Sequence, residues 1–439
     1  MKVSPLVLLS TAVAALGGLL LGFDTAVIAG TTGGLTLAFH LTPETLGITV
    51  ACALWGTVLG VLIASPLAER YGARTGLRVM AAVYLISAAG CAAAWSWNSF
   101  LAFRLIGGLG IGGSSVMSPM YIADISPKQW RGRLVACFQF SVVAGILVAY
   151  TSNFAVARLQ LSWPEWRSDL AAAVLPAALF FIALLFIPES PRWLLTHGHI
   201  READGVLRRM GSDGGQEADR MMTIAESASQ SQQHRLLTAK HRRVIFIALS
   251  IGVLNQFSGI NAILYYLNDI FAKAGFSAAS ASAQAVIIGV ANLIFTVVAM
   301  LLIDSMGRRF LLIVGSCGMT FVLLAIAAVF SSAGHRSSLL WLLIAYIAFF
   351  AFSQGTVVWV YLSEIFPAGI REKGQSLGTL ALWISNGVVA AVYPRIAATA
   401  GQIPFLFFAA MMFVQLLLTL FYFPETRGMS LESVADKIG

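Results

Sequence analysis

The sequence predicts an all-α membrane protein with twelve transmembrane helices, arranged as two matching sets of six. Three observations support this prediction. Of the 439 residues only 11% are charged and 58% are hydrophobic, with a mean hydropathy of +0.82, whereas soluble domains carry about 25% charged residues. The charged residues are clustered, so that long apolar runs lie between them. Short motifs of the first half of the chain recur in the second half.

The apolar runs have the length of transmembrane helices, because about 20 apolar residues cross the hydrocarbon core of a bilayer. Residues 105–123, which follow Arg104, form one such run. Barrel strands are shorter and alternate polar with apolar residues, so we predict helices. Eleven further runs contain no Lys, Arg, Asp or Glu, namely 3–23, 46–68, 79–103, 134–157, 170–188, 244–268, 274–303, 310–334, 337–363, 374–394 and 396–424.

Three motifs recur in the same order at nearly constant spacing. Residues 121–127 correspond to 361–367, at a distance of 240; residues 69–74 to 304–309, at 235; residues 188–190 to 424–426, at 236. The chain therefore contains one unit of six runs twice. A doubled apolar chain of this kind is typical of a membrane transporter with its site between two halves.

The basic residues predict the orientation, because cytoplasmic loops of membrane proteins carry an excess of Lys and Arg. With a cytoplasmic N-terminus the outer loops hold only Arg158, Arg167, Lys273 and Arg336. Both termini are then cytoplasmic. The basic residues, with a net charge of +8, are scattered over short loops, so they indicate topology rather than a nucleic-acid surface. The inner loops hold Arg70, Arg74, Arg78, Lys128, Arg131, Arg133, Arg308, Arg309, Arg371, Lys373 and the basic residues of the linker.

A single long polar segment lies between the two sets of runs. Within it, residues 199–210 and 215–228 are predicted to form short amphipathic helices. The predicted organisation is an N-terminal six-helix bundle over 1–188, a cytoplasmic helical linker over 189–243, a C-terminal six-helix bundle over 244–424 and a cytoplasmic tail over 425–439.

Nothing in the sequence predicts a cofactor, a metal or an enzyme. The glycines between Gly107 and Gly113 resemble a dinucleotide loop, but no strand precedes them. Small residues let membrane helices approach closely, so we predict helix packing there. The four cysteines lie inside apolar runs, and the six histidines lie outside them without metal-ligand spacing.

Two charged residues are predicted to lie at membrane depth. Asp24 ends the first apolar run, and Arg104 begins the fourth. Such charges are costly unless they are paired or line a wet cavity, so they indicate function. The alternative is that both lie at the interface and extend to water. Desolvation disfavours the charged form of a carboxyl and a nearby guanidinium favours it, so the proton affinity of Asp24 could depend on conformation.

Acidic and basic residues recur at matching inner helix ends of the two halves. Exposed ion pairs are individually weak, so we expect a network that biases closure of the inner side. The alternative is that they are ordinary solvated loop charges. The predicted inner-gate residues are Glu69, Arg74, Asp124 and Arg131 in the first half and Asp304, Arg308, Glu364 and Arg371 in the second, with Arg70, Arg133, Arg309 and Lys373 nearby.

Several amide and indole side chains lie within the apolar runs. An amide offers donors and acceptors together, and an indole offers a flat apolar face with one donor. This mixture suits a neutral ligand rich in hydroxyl groups. The alternative for each amide is a hydrogen bond between helices. The candidates are Gln139, Asn255, Gln256, Asn261, Asn292, Trp359, Trp383 and Asn386. Gly259, inside the seventh run, predicts a flexible or broken helix.

Taken together, these motifs resemble the sugar porters of the major facilitator superfamily over nearly the whole chain. The resemblance is similar in character to bacterial sugar–proton symporters and, more distantly, to facilitative glucose transporters. It depends on residues 17–24, 104–108, 119–127, 131–133, 188–194, 255–266 and 424–428.

The resemblance implies the major facilitator fold, with two pseudo-symmetric bundles that work by alternating access. It implies sugar contacts by Gln139, Gln256, Asn261, Asn292, Trp359 and Trp383, with Phe23 nearby. Asn255 stands where the family usually has Gln, and Asn386 follows Trp383. Tyr265 and Tyr266 are expected in an outer gate. Asp24 stands where proton-coupled members carry an acid and facilitative members an amide, and Arg104 where the family places its partner.

Some positions depart from the family pattern. Ser65 and Ala73 replace a usual Gly and a usual basic residue at the first inner loop, which implies a looser inner gate. Thr356 replaces a Pro, which implies a softer break in span ten. Ala173 stands where xylose symporters carry a further acid, which weakens the coupling argument. Ile146 replaces an amide of the xylose type and favours a hexose.

We therefore expect a proton-coupled monosaccharide symporter, with a hexose as the favoured substrate, in a bacterial inner membrane. The alternative is a facilitative sugar uniporter in which Asp24 is structural. The expected partners are a monosaccharide, protons and the lipid bilayer, without nucleic acid. The protein is expected to act as a monomer.

Overall fold

The computed structural model describes residues 3–127, 129–159, 161–210, 241–331, 336–366 and 370–426. Every regular element within these ranges is a helix. Twelve helical stretches of the described residues are long and apolar enough to cross a membrane. The prediction of an all-α protein with twelve transmembrane helices is confirmed.

The first half of the chain contains nine helices. They are α1 (Pro5–Phe39), α2 (Pro43–Tyr71), α3 (Ala73–Ala92), α4 (Trp97–Ile125), α5 (Arg131–Leu159), α6 (Glu165–Ala172), α7 (Val174–Ala183), α8 (Pro191–Thr196) and α9 (Ile200–Arg209). The linker helix predicted over 199–210 is α9, whereas the one predicted over 215–228 lies outside the described residues.

The second half contains nine α-helices, a short 3-10 turn at Arg336–Ser338 and a π turn at Ala351–Gly355. The α-helices are α10 (Arg242–Phe257), α11 (Ile260–Tyr265), α12 (Leu267–Lys273), α13 (Ala278–Met306), α14 (Arg308–Ser331), α15 (Leu339–Phe350), α16 (Thr356–Glu364), α17 (Arg371–Thr399) and α18 (Ile403–Phe421).

The chain divides into two compact units. Unit 1 comprises Met1–Val27, Cys52–Ser152 and Gln160–Gln232, as far as these are described. Unit 2 comprises Ile28–Ala51, Asn153–Leu159 and Gln233–Gly439, with the same restriction. The last turns of α1, the first turns of α2 and the end of α5 thus belong to unit 2. The predicted bundle boundaries at 188 and 244 stay predictions.

Glycines allow the helices of unit 1 to approach at backbone distance. A side chain at Gly108 would meet the carbonyl of Ala53 on α2, and one at Gly112 would meet Thr57. On α3, the carbonyl of Met80 would lie 2.7 Å from a Cβ atom at Gly110. The glycines of α4 therefore serve helix packing, as the sequence predicts, because small residues are what close contact between membrane helices requires.

The seventh transmembrane stretch is broken, as Gly259 predicts. Helix α10 ends at Phe257, and Gly259 adopts the left-handed conformation, with a φ of 88°. A side chain there would also meet the ring of Phe408. Glycine is the residue that adopts this conformation without a steric penalty. The backbone therefore changes direction between α10 and α11.

The tenth stretch is interrupted by the π turn, which ends one residue before Thr356. The Thr356 hydroxyl donates to the carbonyl of Ala351 at 2.8 Å. A π turn widens the helix locally and is frequent at functional sites. The irregularity expected in this stretch is thus a π turn.

Candidate functional site

A buried ion pair joins α1 to α4 within unit 1. Arg104 Nη1 donates to Asp24 Oδ1 at 2.7 Å, and the Tyr84 hydroxyl of α3 donates to the same oxygen at 3.4 Å. Arg104 is only 5% exposed, and the Asp24 side chain is 15% exposed. Both side chains therefore point inward rather than towards the surface. The two charges that the sequence places at membrane depth are in direct contact.

The local sequence of α4 explains how α3 reaches this pair. A Cβ atom at Gly107 would collide with the Ser87 side chain, and one at Gly110 would lie 3.0 Å from the backbone nitrogen of Tyr84. The Ser87 hydroxyl donates to the carbonyl of Phe103 on α4 at 2.6 Å. Since α3 lies this close to α4, the Tyr84 ring, which is 3% exposed, extends its hydroxyl to Asp24.

The pair couples charge to helix position. Charge-assisted hydrogen bonds are short and strong, while a buried charge that loses its partner destabilises a protein by about 3–5 kcal/mol. The Nε atom of Arg104 has no hydrogen-bond partner among the described residues. A proton on Asp24 would remove the charge that Arg104 faces. The arrangement can therefore convert a protonation event into a weaker attachment of α1 to α4.

Three amides of unit 2 form a continuous chain across the break at Gly259. Gln256 Nε2 donates to Asn255 Oδ1 at 2.9 Å, and Asn261 Nδ2 donates to Gln256 Oε1 at 2.8 Å. The break is held by Ser258, whose hydroxyl donates to the Asn255 carbonyl at 2.6 Å. The Tyr346 hydroxyl of α15 donates to the carbonyl of Ser258 at 2.9 Å. Three predicted binding residues are thus brought together on one segment.

Asn386 connects α17 to the segment after this break. Its Nδ2 atom donates to the Tyr265 hydroxyl at 3.0 Å, and the residue is fully buried. The neighbouring Tyr266 hydroxyl donates to the Ala390 carbonyl at 2.9 Å, and its ring stacks on Tyr393 with 5.0 Å between centroids. The two tyrosines predicted for a gate are therefore both fastened to α17.

The remaining predicted binding residues are more dispersed. In unit 2, Asn292 on α13 and Trp383 on α17 are 6% and 8% exposed, whereas Trp359 on α16 is 43% exposed. Phe23, which is buried, and Gln139, which is half-buried, belong to unit 1. Their contribution to a common site with the residues of unit 2 stays a prediction.

Sequence reasoning missed one amide pair. Gln354, in the π turn, donates from Nε2 to Oε1 of Gln415 on α18 at 2.7 Å, and both residues are fully buried. Gln354 Oε1 and Gln415 Nε2 have no partner among the described residues. Each glutamine is a lone polar residue in a long apolar run. That signal was available, but it does not reveal which helix carries the partner.

Two acidic clamps hold equivalent helix ends in the two units. In unit 1, the carboxylate of Glu189 accepts hydrogen bonds from the backbone nitrogens of Arg74 at 2.8 Å and Thr75 at 3.3 Å. It thereby satisfies the free N–H groups at the start of α3 and complements the helix dipole there. Gly72, directly before α3, has a φ of 89° and lies against this carboxylate.

The second clamp repeats the first in unit 2. Glu425 accepts from the backbone nitrogens of Arg308 at 2.9 Å and Arg309 at 3.1 Å, at the start of α14. Gly307, with a φ of 86°, replaces Gly72. The repeat extends to the tyrosines, since Tyr121 donates to the Pro188 carbonyl at 2.7 Å and Tyr361 to the Pro424 carbonyl at 2.8 Å. The Pro-Glu-Ser and Pro-Glu-Thr motifs are therefore structural equivalents.

The predicted inner-gate charges meet the clamps rather than only one another. Asp124 Oδ2 accepts from the Ser190 hydroxyl at 2.7 Å, and Glu364 accepts from the Thr426 hydroxyl at 2.6 Å. Arg308 also forms an ion pair with Glu364 at 3.0 Å.

The other inner-gate residues have different surroundings. Arg74 Nε lies 3.6 Å from Glu189, and Arg131 donates to the carbonyl of Ala123. Glu69 is exposed, and its backbone carbonyl accepts from the Trp193 indole at 2.9 Å. The side chains of Asp304 and Arg371 lie outside the described residues. Glu189 and Glu425 were not assigned to the gate from the sequence, although the repeated motif marks them.

This fold and these paired motifs define a multi-pass membrane protein of a transport family. The family described as "Sugar (and other) transporter" matches residues 10–437. The chain belongs to this family, which confirms the resemblance found in the sequence.

Relatives within the family carry different names. The D-xylose-proton symporter of Escherichia coli is 34% identical, over 97% of this chain and 94% of that protein. The glucose transport protein of Synechocystis is 33% identical, over 98% of this chain and 97% of that protein. A partially occluded inward-open structure of the xylose transporter XylE from E. coli matches with a TM-score of 0.88 at 32% identity, covering 97% and 100% of the two chains.

Proposed function

We propose that this protein is a proton-coupled monosaccharide symporter that works by alternating access. The observation that carries the proposal is the buried pair of Asp24 and Arg104, to which Tyr84 adds a third polar contact. A facilitative carrier needs no titratable acid in a buried position. Here an acid that can exchange a proton lies directly against the cation that holds α1 to α4.

The proposed cycle follows from this contact. Without a proton, Asp24 is held by Arg104, and α1 and α4 move together. A proton on Asp24 neutralises the carboxylate, which weakens the attachment and favours rearrangement of α1. Sugar binding favours the same rearrangement, so the two solutes are carried in one step. Return of the carrier requires release of the proton and renewed pairing with Arg104.

The proposed substrate is a neutral sugar, because the polar groups of unit 2 near the broken helix are amides and phenols rather than fixed charges. Asn255, Gln256 and Asn261 offer donors and acceptors in alternation, which is what successive hydroxyl groups require. Relatives are named for xylose and for glucose. We favour a hexose, because Ile146 on α5 is bulky, apolar and 5% exposed.

The proposed location is a bacterial inner membrane, with both termini in the cytoplasm and the monomer as the functional unit. The bacterial relatives and the twelve apolar stretches support this location. The clamps of Glu189 and Glu425 then lie at the cytoplasmic end. Each would stabilise closure on that side and would have to loosen when the site opens inward.

The test is proton movement in liposomes that contain the purified protein. On addition of sugar to weakly buffered vesicles without a proton gradient, we expect the outside solution to become alkaline. Asp24→Asn should abolish this alkalinisation while downhill sugar exchange continues. Glu202→Gln is the matched control, because Glu202 is an exposed acid on α9 that is remote in sequence from the pair. Sugar uptake without alkalinisation by the unaltered protein would instead identify a uniporter.

A further inference from the structure

A second buried acid lies in unit 2, where the end of α1 meets α12. Asp269 belongs to α12, and Thr32, which is 2% exposed, faces it from α1. The Oδ2 atom of Asp269 is buried and has no hydrogen-bond partner among the described residues. A buried carboxyl without partners needs an explanation, since the charged form is disfavoured there.

Several contacts show that this region is packed closely. Lys273, one turn after Asp269, donates from Nζ to the carbonyl of Ala397 on α17 at 2.7 Å. A side chain at Gly47 of α2 would meet the carbonyl of Ala391 on α17. The α1 and α2 ends in question lie early in the chain, whereas α12 and α17 lie more than 200 residues later.

The charged surroundings of Asp269 are sparse. On its own helix Lys273 is the nearby cation, and α1 presents the hydroxyl of Thr32. From α17 the Tyr393 phenol faces the carboxyl, while Arg395 is directed to Glu44 of α2 at 3.7 Å, on the exposed side. The first turns of α13, which packs against α12, contain no charged residue. Tyr266 precedes Asp269 by three residues and is also buried.

Burial raises the pKa of Asp269 from 3.8 to about 6, against the opposing effects of Thr32 and Lys273. Burial likewise lowers the pKa of Lys273, against the effect of Asp269. Neither group is compensated fully. The packed arrangement therefore carries an electrostatic penalty whenever the carboxyl is ionised.

We propose that Asp269 is a proton-binding site, distinct from Asp24, whose protonation favours the packing of α1 against α12. The inference rests on the proposed function in one respect, namely that this end opens and closes during transport. Under the proposed orientation the site lies at the extracellular end, where its protonation would favour closure.

The direction follows from the difference between the packed and the separated arrangement. When α1 leaves α12, Asp269 returns to water and to its ordinary pKa of 3.8. The penalty on the packed arrangement is absent below that value and grows as the pH rises through about 6. Linkage then gives a ratio of packed to separated molecules that is about tenfold higher at pH 5 than at pH 7.

Spin labels can measure this ratio without any transport. Labels would be placed on Leu37→Cys of α1 and Ala398→Cys of α17, both exposed, in the full chain with Cys52, Cys91, Cys137 and Cys317 replaced. Distances between the labels would be measured in nanodiscs, without sugar, from pH 5 to pH 8. We expect the short-distance population to increase about tenfold relative to the long one on acidification, and Asp269→Asn to abolish that dependence.

Two comparisons make the result decisive. A pH dependence that is retained in Asp269→Asn and lost in Asp24→Asn would overturn the proposal, because it would belong to the other acid. Since no sugar or gradient is present, failure of proton-coupled transport would leave this measurement unaffected.

Thr32→Val provides a second variant that retains the charge of Asp269. Removal of a hydroxyl that lowers the pKa of Asp269 should move the midpoint of the transition to higher pH. A purely structural role of Asp269 predicts an unchanged midpoint, and that outcome would also overturn the proposal. Elution of each variant as a single species in size-exclusion chromatography controls for folding.

Discussion

At the residue scale, the contact between Asp24 and Arg104 illustrates what a buried charge requires of its neighbours. Both residues could be singled out from the sequence, because each interrupts or borders a long apolar run. The contribution of Tyr84 could not. A tyrosine in an apolar helix carries no sign of its partner, and only the closeness of α3 to α4 brings its hydroxyl to Asp24.

We predict that Arg104→Gln destabilises the protein more than the double variant Asp24→Asn/Arg104→Gln. The single variant leaves Asp24 buried without its cation, for which a loss of about 3–5 kcal/mol is typical, whereas the double variant buries two neutral amides. The measurement is thermal unfolding of the purified proteins in one detergent. Equal or lower thermal stability of the double variant would show that the pair is not coupled.

At the element scale, the glycines determine where helices approach and where they break. The packing of α4 against α2 and α3 follows from a run of small residues, and the break after α10 follows from Gly259. The π turn before α16 is not predictable in the same way. A change of hydrogen-bond register leaves no trace in composition, and Gly355 itself has an ordinary right-handed conformation.

We predict that Gly259→Ala impairs both folding stability and transport. Left-handed backbone costs about 1–2 kcal/mol for a residue with a Cβ atom, and the added methyl group also meets Phe408. The displacement would disturb the hydrogen bond between Gln256 and Asn261. We expect a lower unfolding temperature and a sugar uptake rate reduced about tenfold, which corresponds to about 1.4 kcal/mol.

Gly205→Ala is the matched control for this substitution. Gly205 lies within α9, and a methyl group there meets nothing within 4 Å. Replacement of glycine by alanine inside an exposed helix is favourable by about 1 kcal/mol. Uptake should therefore remain unchanged in this variant. Similar losses in both variants would show that the effect of Gly259→Ala does not arise at the break.

At the scale of the whole molecule, the number of transmembrane stretches was predictable because it depends only on apolar length. The assignment of helix ends to compact units was not. The end of α1 and the beginning of α2 belong to unit 2, although their sequence continues that of unit 1. Their neighbours on α12 and α17 are more than 200 residues away, and such contacts leave no periodic pattern.

We predict that the linker and the loop between α5 and α6 lie on opposite sides of the membrane. In a background without the four native cysteines, Trp163→Cys should react with a membrane-impermeant maleimide in intact cells, because this residue is 62% exposed. Ile200→Cys, at a site that is 54% exposed in α9, should react only after permeabilisation. The reverse labelling pattern would contradict the orientation that the basic residues predict.

The chain of amides from Asn255 to Asn261 has a consequence for how selectively the carrier can choose its cargo. Each hydroxyl that approaches Gln256 has to replace a bond that the protein already makes with itself. Such exchanges are nearly neutral in free energy, so they add little to affinity. Discrimination among stereoisomers should then arise from steric exclusion by the walls, and loose retention should favour rapid unloading.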